Sequence, residues 1–131
     1  MTKDEFIAYI VSKQGTPFNT NRDLSTHSLE TGFDCYTWVV HLYTLLGKEL
    51  VGGPSQYTQL KDLRNQFEKV EKAEFLDIAL FYGQMIEVRH MAIMIDPYRA
   101  THCSPITNGV SILEINRKPW VNTFKGFYRY K

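Results

Sequence analysis

The stretch Gly32-Phe33-Asp34-Cys35-Tyr36-Thr37-Trp38-Val39-Val40 decides how this chain is read. Asp34 belongs to the residue types that cap helix N-termini. After it, Trp38, Val39, Leu42, Leu45 and Leu46 recur at the spacing of one helix face, and Gly47 follows. A helix is therefore expected from about Cys35 to Leu46, with Cys35 at its first position. A thiol placed there feels the positive end of the helix dipole, which favours the thiolate, the nucleophilic form of cysteine.

Upstream, Thr2 and Glu5 fit a capping box, and Phe6, Ile7, Ile10 and Val11 form an apolar stripe that Gly15 and Pro17 end. Residues 16–32 are polar and read as a long ordered loop, a kind of segment that often carries function. Downstream, Gly52-Gly53-Pro54 is a turn, and Ser55 is expected to cap a third helix bearing Tyr57, Leu60, Leu63 and Phe67. From about Phe75 the pattern changes to strands: Ile78–Tyr82, Met91–Ile95, Arg99–Ser104, Val110–Ile115 and Phe127–Tyr130. Helices first and strands after them imply an α+β fold in which N-terminal helices pack on an antiparallel sheet.

Two histidines give the cysteine a context. If the strands on either side of Asp96-Pro97 pair symmetrically about Asp96, His90 faces His102 across the hairpin, with Cβ atoms about 5 Å apart. A slip of one residue would send them to opposite faces. Taken singly, a cysteine is most often a buried core residue and a strand histidine a hydrogen-bonded one. A cysteine opening a helix, joined by two facing histidines, is the constellation of thiol acyl transfer or hydrolysis. Cys103, adjacent to His102, should point the other way, into the core. For the same reason the cysteines and histidines are not read as a metal site, and no cofactor is implied. His41 lies about 240° round the helix from Cys35 and should not meet the thiol. His27 sits in the polar loop and reads as solvated.

The composition narrows the alternatives. At 131 residues the chain should form one domain, 1–131, and its 44% hydrophobic content suffices for a core. A formal net charge of +1 gives no reason to expect nucleic acid as a partner. Two cysteines are too few for a disulfide framework or a four-cysteine zinc site. No apolar run reaches the length of a membrane span. The opening Met1-Thr2-Lys3-Asp4-Glu5-Phe6 carries acids where a signal peptide would be positive, so the protein is expected to be made in the cytoplasm without one.

Gly32-Phe33-Asp34-Cys35 resembles the nucleophile motif of the NlpC family of cysteine peptidases, usually Phe-Asp-Cys-Ser-Gly. Leu76-Asp77-Ile78-Ala79-Leu80-Phe81-Tyr82 is similar to that family's Gly-Asp-Leu-Val-Phe-Phe strand. Arg89-His90-Met91-Ala92-Ile93-Met94-Ile95 is similar to its Ser-His-Val-Gly-Ile-Tyr strand. Ala100-Thr101-His102-Cys103-Ser104 falls where the third polar residue lies. Gly15-Thr16-Pro17-Phe18 resembles the Gly-x-Pro-Tyr segment, and Gly109-Val110-Ser111-Ile112 the strand that follows. The resemblance runs in order along nearly the whole chain.

It implies a papain-like fold and hydrolysis of peptidoglycan stem peptides, commonly between D-glutamate and the diamino acid. Cys35 would be the nucleophile, His90 the base and then the acid, and His102 the residue that orients His90. The backbone N–H of Cys35 would help hold the oxyanion. Asp34, Phe18 and Tyr36 would contact substrate. Phe18 stands where a tyrosine hydroxyl often grips the free amine of the substrate, and Tyr36-Thr37 replace Ser-Gly, so the preference for a free N-terminal L-alanine is expected to change. Leu76, in place of glycine, is read as a surface or packing change. Small members of this family occur on bacteriophage tails, which makes a virion or a secretion apparatus the expected route to the cell wall, and tail or delivery-apparatus proteins the expected partners. Two other readings share the same residues: a structural module of a tail assembly with little turnover, and a thiol acyltransferase or deamidase.

Overall fold

A computed structural model describes residues 1–50, 65–83 and 86–131, with the side chains of residues 82–89 outside that description. Helix α1 spans Lys3–Ser12 and begins with the expected capping box: Thr2 Oγ1 accepts from Glu5 N, and Glu5 Oε1 accepts from Thr2 N. Phe6 and Ile10 are fully buried, whereas Val11 lies on the exposed side of the stripe. Helix α2 spans Cys35–Leu45 and buries Trp38, Val39 and Leu42; Leu45 is exposed. Each large apolar side chain buried this way contributes about 1.5–3 kcal/mol.

The expected third helix lies outside the described residues up to position 64; residues 65 and 66 are helical, and Phe67 is the part that the structure corrects. Phe67 opens strand β1 (Phe67–Val70), pairs with Tyr130, and packs edge-on against both Tyr43 and Tyr130. Aromatic burial at the sheet edge overrides the helical spacing that suggested otherwise.

The remaining strands are β2 (Ile78–Gly83), β3 (Ile86–Met94), β4 (Arg99–Ser104), β5 (Gly109–Glu114) and β6 (Phe124–Tyr130). They form a six-stranded antiparallel sheet in the order β1-β6-β2-β3-β4-β5. This is the α+β arrangement expected from the sequence. One sheet face packs on the helices through Ile78, Leu80, Met91, Ile93, Cys103 and Val110. The other carries Ala79, Phe81, Ala92, Met94, Ala100 and Leu113 under Trp120, from the short helix α3 (Trp120–Thr123).

The β3–β4 register differs from the expected one. Ile93 pairs with Thr101 and Met94 with Ala100, a displacement of two residues from pairing about Asp96. The turn is set by Asp96, whose Oδ1 accepts from Tyr98 N and Arg99 N. A two-residue shift preserves the face of every side chain, so His90 and His102 still share one side of the sheet, now as diagonal rather than direct neighbours.

Leu76 also needs a fuller reading. It is a left-handed residue, φ 78°, at the entry to β2. Its carbonyl accepts from Tyr43 Oη at 2.5 Å, and its N–H donates to Met94 O at 2.9 Å. A glycine would adopt this backbone at no steric cost; Leu76 packs against the core, as a packing change would have it, and adds a strained backbone conformation that the sequence did not announce.

Candidate active site

The cysteine is positioned by three devices. Asp34 caps α2: its Oδ1 accepts from Thr37 N at 2.7 Å, while Thr37 Oγ1 accepts from Asp34 N at 3.0 Å. Strand β4 then grips the helix and the segment before it. Thr101 Oγ1 accepts from Trp38 Nε1 at 3.1 Å, and the Cys103 thiol donates to Phe33 O at 3.0 Å. Finally, residues 15–18 bracket the segment from behind. Pro17 O accepts from Phe33 N, and Gly15 and Thr16 exchange backbone hydrogen bonds with Val110 of β5. Gly32 is required here, since a Cβ at this residue would lie 2.1 Å from Pro17 O at a φ of +96°.

Alternation along β4 explains the rest. Thr101 and Cys103 face the helix, so His102 between them points to the opposite sheet face, with Ala100. His90 lies on that same face of β3. Its Nε2 and His102 Nδ1 are 2.8 Å apart, with the rings nearly perpendicular at 83°. His102 Nε2 in turn lies 3.0 Å from Ser111 Oγ, its cross-strand partner on β5. Trp120 stacks on His90 at 5.1 Å and meets His102 edge-on at 4.9 Å, while Phe81 packs beside His90. His90 is 4% exposed and His102 is fully buried.

This environment sets the electrostatics. Burial holds His90 at about 4. Burial, and after it the neighbouring His90, hold His102 at about 3. Both rings are therefore neutral at pH 7. The Cys35 thiol is pushed up to about 12, first by burial and then by the Asp34 carboxylate. The backbone N–H groups of Met91, Tyr36 and Cys35 pull it the other way without prevailing. Although Cys35 as a residue is only half-buried, the atoms crowding its sulfur desolvate it. The thiol and both imidazoles are thus uncharged at pH 7, contrary to the thiolate expected from the helix dipole alone; the structure joins His90 to His102, and no described contact joins either ring to Cys35.

The other sequence candidates have plain placements. Phe18 is half-buried and forms an isolated bridge with Phe33. Tyr36 is 2% exposed and packs in the core. His41 accepts or donates at Tyr9 Oη, 2.7 Å away, and stacks on Trp38. His27 is not simply solvated: its Nδ1 lies 2.8 Å from Thr37 Oγ1 and its Nε2 2.7 Å from Asn21 O. Neither cysteine is in a disulfide, and among the described residues no three His, Cys, Asp or Glu side chains converge to hold a metal. Ser111 and Trp120 were missed from sequence. The turn at residues 105–108 could have paired Ser111 with His102, but Lys118-Pro119-Trp120 carries no periodic signal.

No family model matches the sequence, and a search of curated proteins finds no relative. Solved structures do match. The NlpC/p60 domain of the peptidoglycan hydrolase SagA aligns over 100% of both chains at a TM-score of 0.64 and 20% identity. The chain has the NlpC/P60 fold. An NlpC/P60 family protein from Bacillus cereus aligns over 99% of this chain at a TM-score of 0.74 and 20% identity. A lipoprotein-like NLP/P60 family protein from Staphylococcus aureus does so over 97% at 0.66 and 21%. The chain spans only 40% and 42% of the lengths of these last two.

Proposed function

We propose that this protein hydrolyses peptide bonds in peptidoglycan stem peptides, with Cys35 as nucleophile, His90 as general base and acid, and His102 orienting His90. The observation that carries the reading is the 2.8 Å contact between His90 Nε2 and His102 Nδ1. It occupies Nε2 of His90, and the proposal assigns the other ring nitrogen, Nδ1, to the thiol. Similarity of fold to a peptidoglycan hydrolase domain supports the substrate class.

Because thiol and imidazoles are neutral at rest, the proton leaves Cys35 Sγ for His90 Nδ1 as sulfur attacks the carbonyl carbon. The tetrahedral oxyanion would be held partly by the backbone N–H of Cys35, at the positive end of α2. His90 then protonates the leaving amine, the C–N bond breaks, and water releases the acyl group from the thioester. Asp34 is committed to Thr37 and would bear on substrate through its charge; Phe18 would offer an apolar contact. The bond favoured is the one between D-glutamate and the diamino acid. Delivery by a virion or a secretion apparatus belongs to the same proposal, and detection of the protein in purified particles would test it.

The direct test is digestion of purified peptidoglycan fragments by the wild type and by Cys35→Ala, read by mass spectrometry. A defined amide cut lost in Cys35→Ala is expected. The elevated thiol and the burial of Tyr36 favour one second reading, a module with little turnover. No cut together with a Cys35 inert to alkylation would establish that reading, and no cut with a reactive Cys35 would point to a thiol acyltransferase or deamidase.

A further inference from the structure

We propose that Ser111 terminates the imidazole relay, its hydroxyl accepting a hydrogen bond from His102 Nε2–H in the charged state formed when Cys35 gives up its proton. The inference rests on the assignment of Cys35 and His90 made above.

The argument is one of donors and acceptors. In the resting site the chain His90 Nε2, His102 Nδ1, His102 Nε2 and Ser111 Oγ can be ordered in either direction, because each neutral imidazole has one donor and one acceptor and a hydroxyl is both. Once His90 takes the thiol proton at Nδ1, both its nitrogens carry hydrogen and the choice disappears. His90 Nε2–H must donate to His102 Nδ1. His102, still neutral, then carries its hydrogen on Nε2 and must donate to Ser111 Oγ. No proton travels along the chain. The thiol loses one, His90 gains it, and the two outer bonds align behind the charge.

Solvent cannot readily take over this part. His102 is fully buried, and Trp120 lies edge-on against it. Ser111, on the edge strand β5, is only half-buried, so its own hydroxyl hydrogen can turn toward water. Without the hydroxyl, the charged relay would end on a buried N–H with no acceptor, a cost paid only after proton transfer. Ser111 is thus a positioning residue that acts through His102 on the thiol–imidazole step.

The test compares Ser111→Ala, Ser111→Thr and Ser111→Val. Threonine and valine share a shape suited to a strand and differ in the hydroxyl. The first readout is the rate of Cys35 alkylation by iodoacetamide at pH 7, followed on the Cys35 peptide by mass spectrometry; it needs no cell-wall substrate. Ser111→Ala and Ser111→Val should react about tenfold to a hundredfold more slowly than the wild type, and Ser111→Thr within about threefold of it. Thermal melts alongside should rank Thr and Val together. On peptidoglycan fragments the Val variant should lose kcat and keep KM. A Val variant that alkylates as fast as the Thr variant overturns the inference. A wild type that alkylates with the predicted Ser111 dependence yet cuts no stem peptide leaves this inference standing and overturns the hydrolase reading instead.

Discussion

Replacing Gly32 by alanine should be among the most damaging one-methyl changes available, and the structure says by how much. Two costs combine. The φ of +96° places an L side chain in the left-handed region, at about 1–2 kcal/mol. The new Cβ would also lie 2.1 Å from Pro17 O and 2.9 Å from Pro17 C, both backbone atoms that cannot swing aside. Relief of that overlap costs about 1–3 kcal/mol more. Gly47 provides the control, since its φ is +75° but nothing lies within 4 Å of the position a Cβ would take. Gly47→Ala should therefore show the first cost alone. At about 4 °C per kcal/mol for a chain of this size, Gly32→Ala should lower Tm by about 14 °C and Gly47→Ala by about 6 °C. Urea melts of both variants would measure the difference directly. Pro17 O also accepts from Phe33 N, two residues before Cys35, so Gly32→Ala should slow Cys35 alkylation while Gly47→Ala does not. Equal destabilisation by the two substitutions would refute the bracket formed by residues 15–18 behind the cysteine.

Three further outcomes are expected. Burial holds His90 at about 4 and His102 at about 3, below the ordinary 6.5, so the unfolded chain binds these protons more readily than the folded one. Their contribution to stability is therefore complete above about pH 6.5 and is lost as pH falls through the folded values, a loss of a few kcal/mol at about 1.4 kcal/mol per unit. Denaturant melts between pH 7 and pH 4 should show this slope, and a flat profile would contradict the buried neutral pair. Trp120→Ala should cost about 3–5 kcal/mol and admit water to both rings, so their NMR titrations should move up toward 6.5. Asp34→Asn keeps a good helix cap but removes the anion that raises the thiol. Its Cys35 should alkylate faster at pH 8, by about tenfold for each unit the thiol falls, and an unchanged or slower rate would count against the role given to that carboxylate.

What could be read in the sequence follows from where local chemistry dominates. Both helix starts were legible because Thr2 with Glu5, and Asp34 before an apolar periodicity, satisfy backbone N–H groups within four residues. The pairing of His90 with His102 was legible in parity though not in register. A hairpin fixes which face a residue takes, while the Asp96–Arg99 turn, held by carboxylate bonds, fixes the offset. Strand β1 was illegible because Phe67-Glu68-Lys69-Val70 gains its conformation from pairing with β6, far along the chain. The left-handed Leu76 was hidden for a related reason: its conformation is imposed by Tyr43 and Met94, and leucine announces no such requirement. The electrostatics of the site depended on how dry it is. The helix dipole argues for a thiolate at Cys35, and burial outweighs it.

The most direct test of a thiol nucleophile served by the imidazole pair is capture of the acyl-enzyme. Wild type and Cys35→Ala would be mixed with a stem-peptide fragment, quenched in acid within the first turnover, and analysed by intact-protein and peptide mass spectrometry. The account predicts a thioester on Cys35 whose added mass equals the acyl half of the cleaved fragment, absent from Cys35→Ala. Cleavage that continues in Cys35→Ala, or an adduct on any other residue, would contradict it.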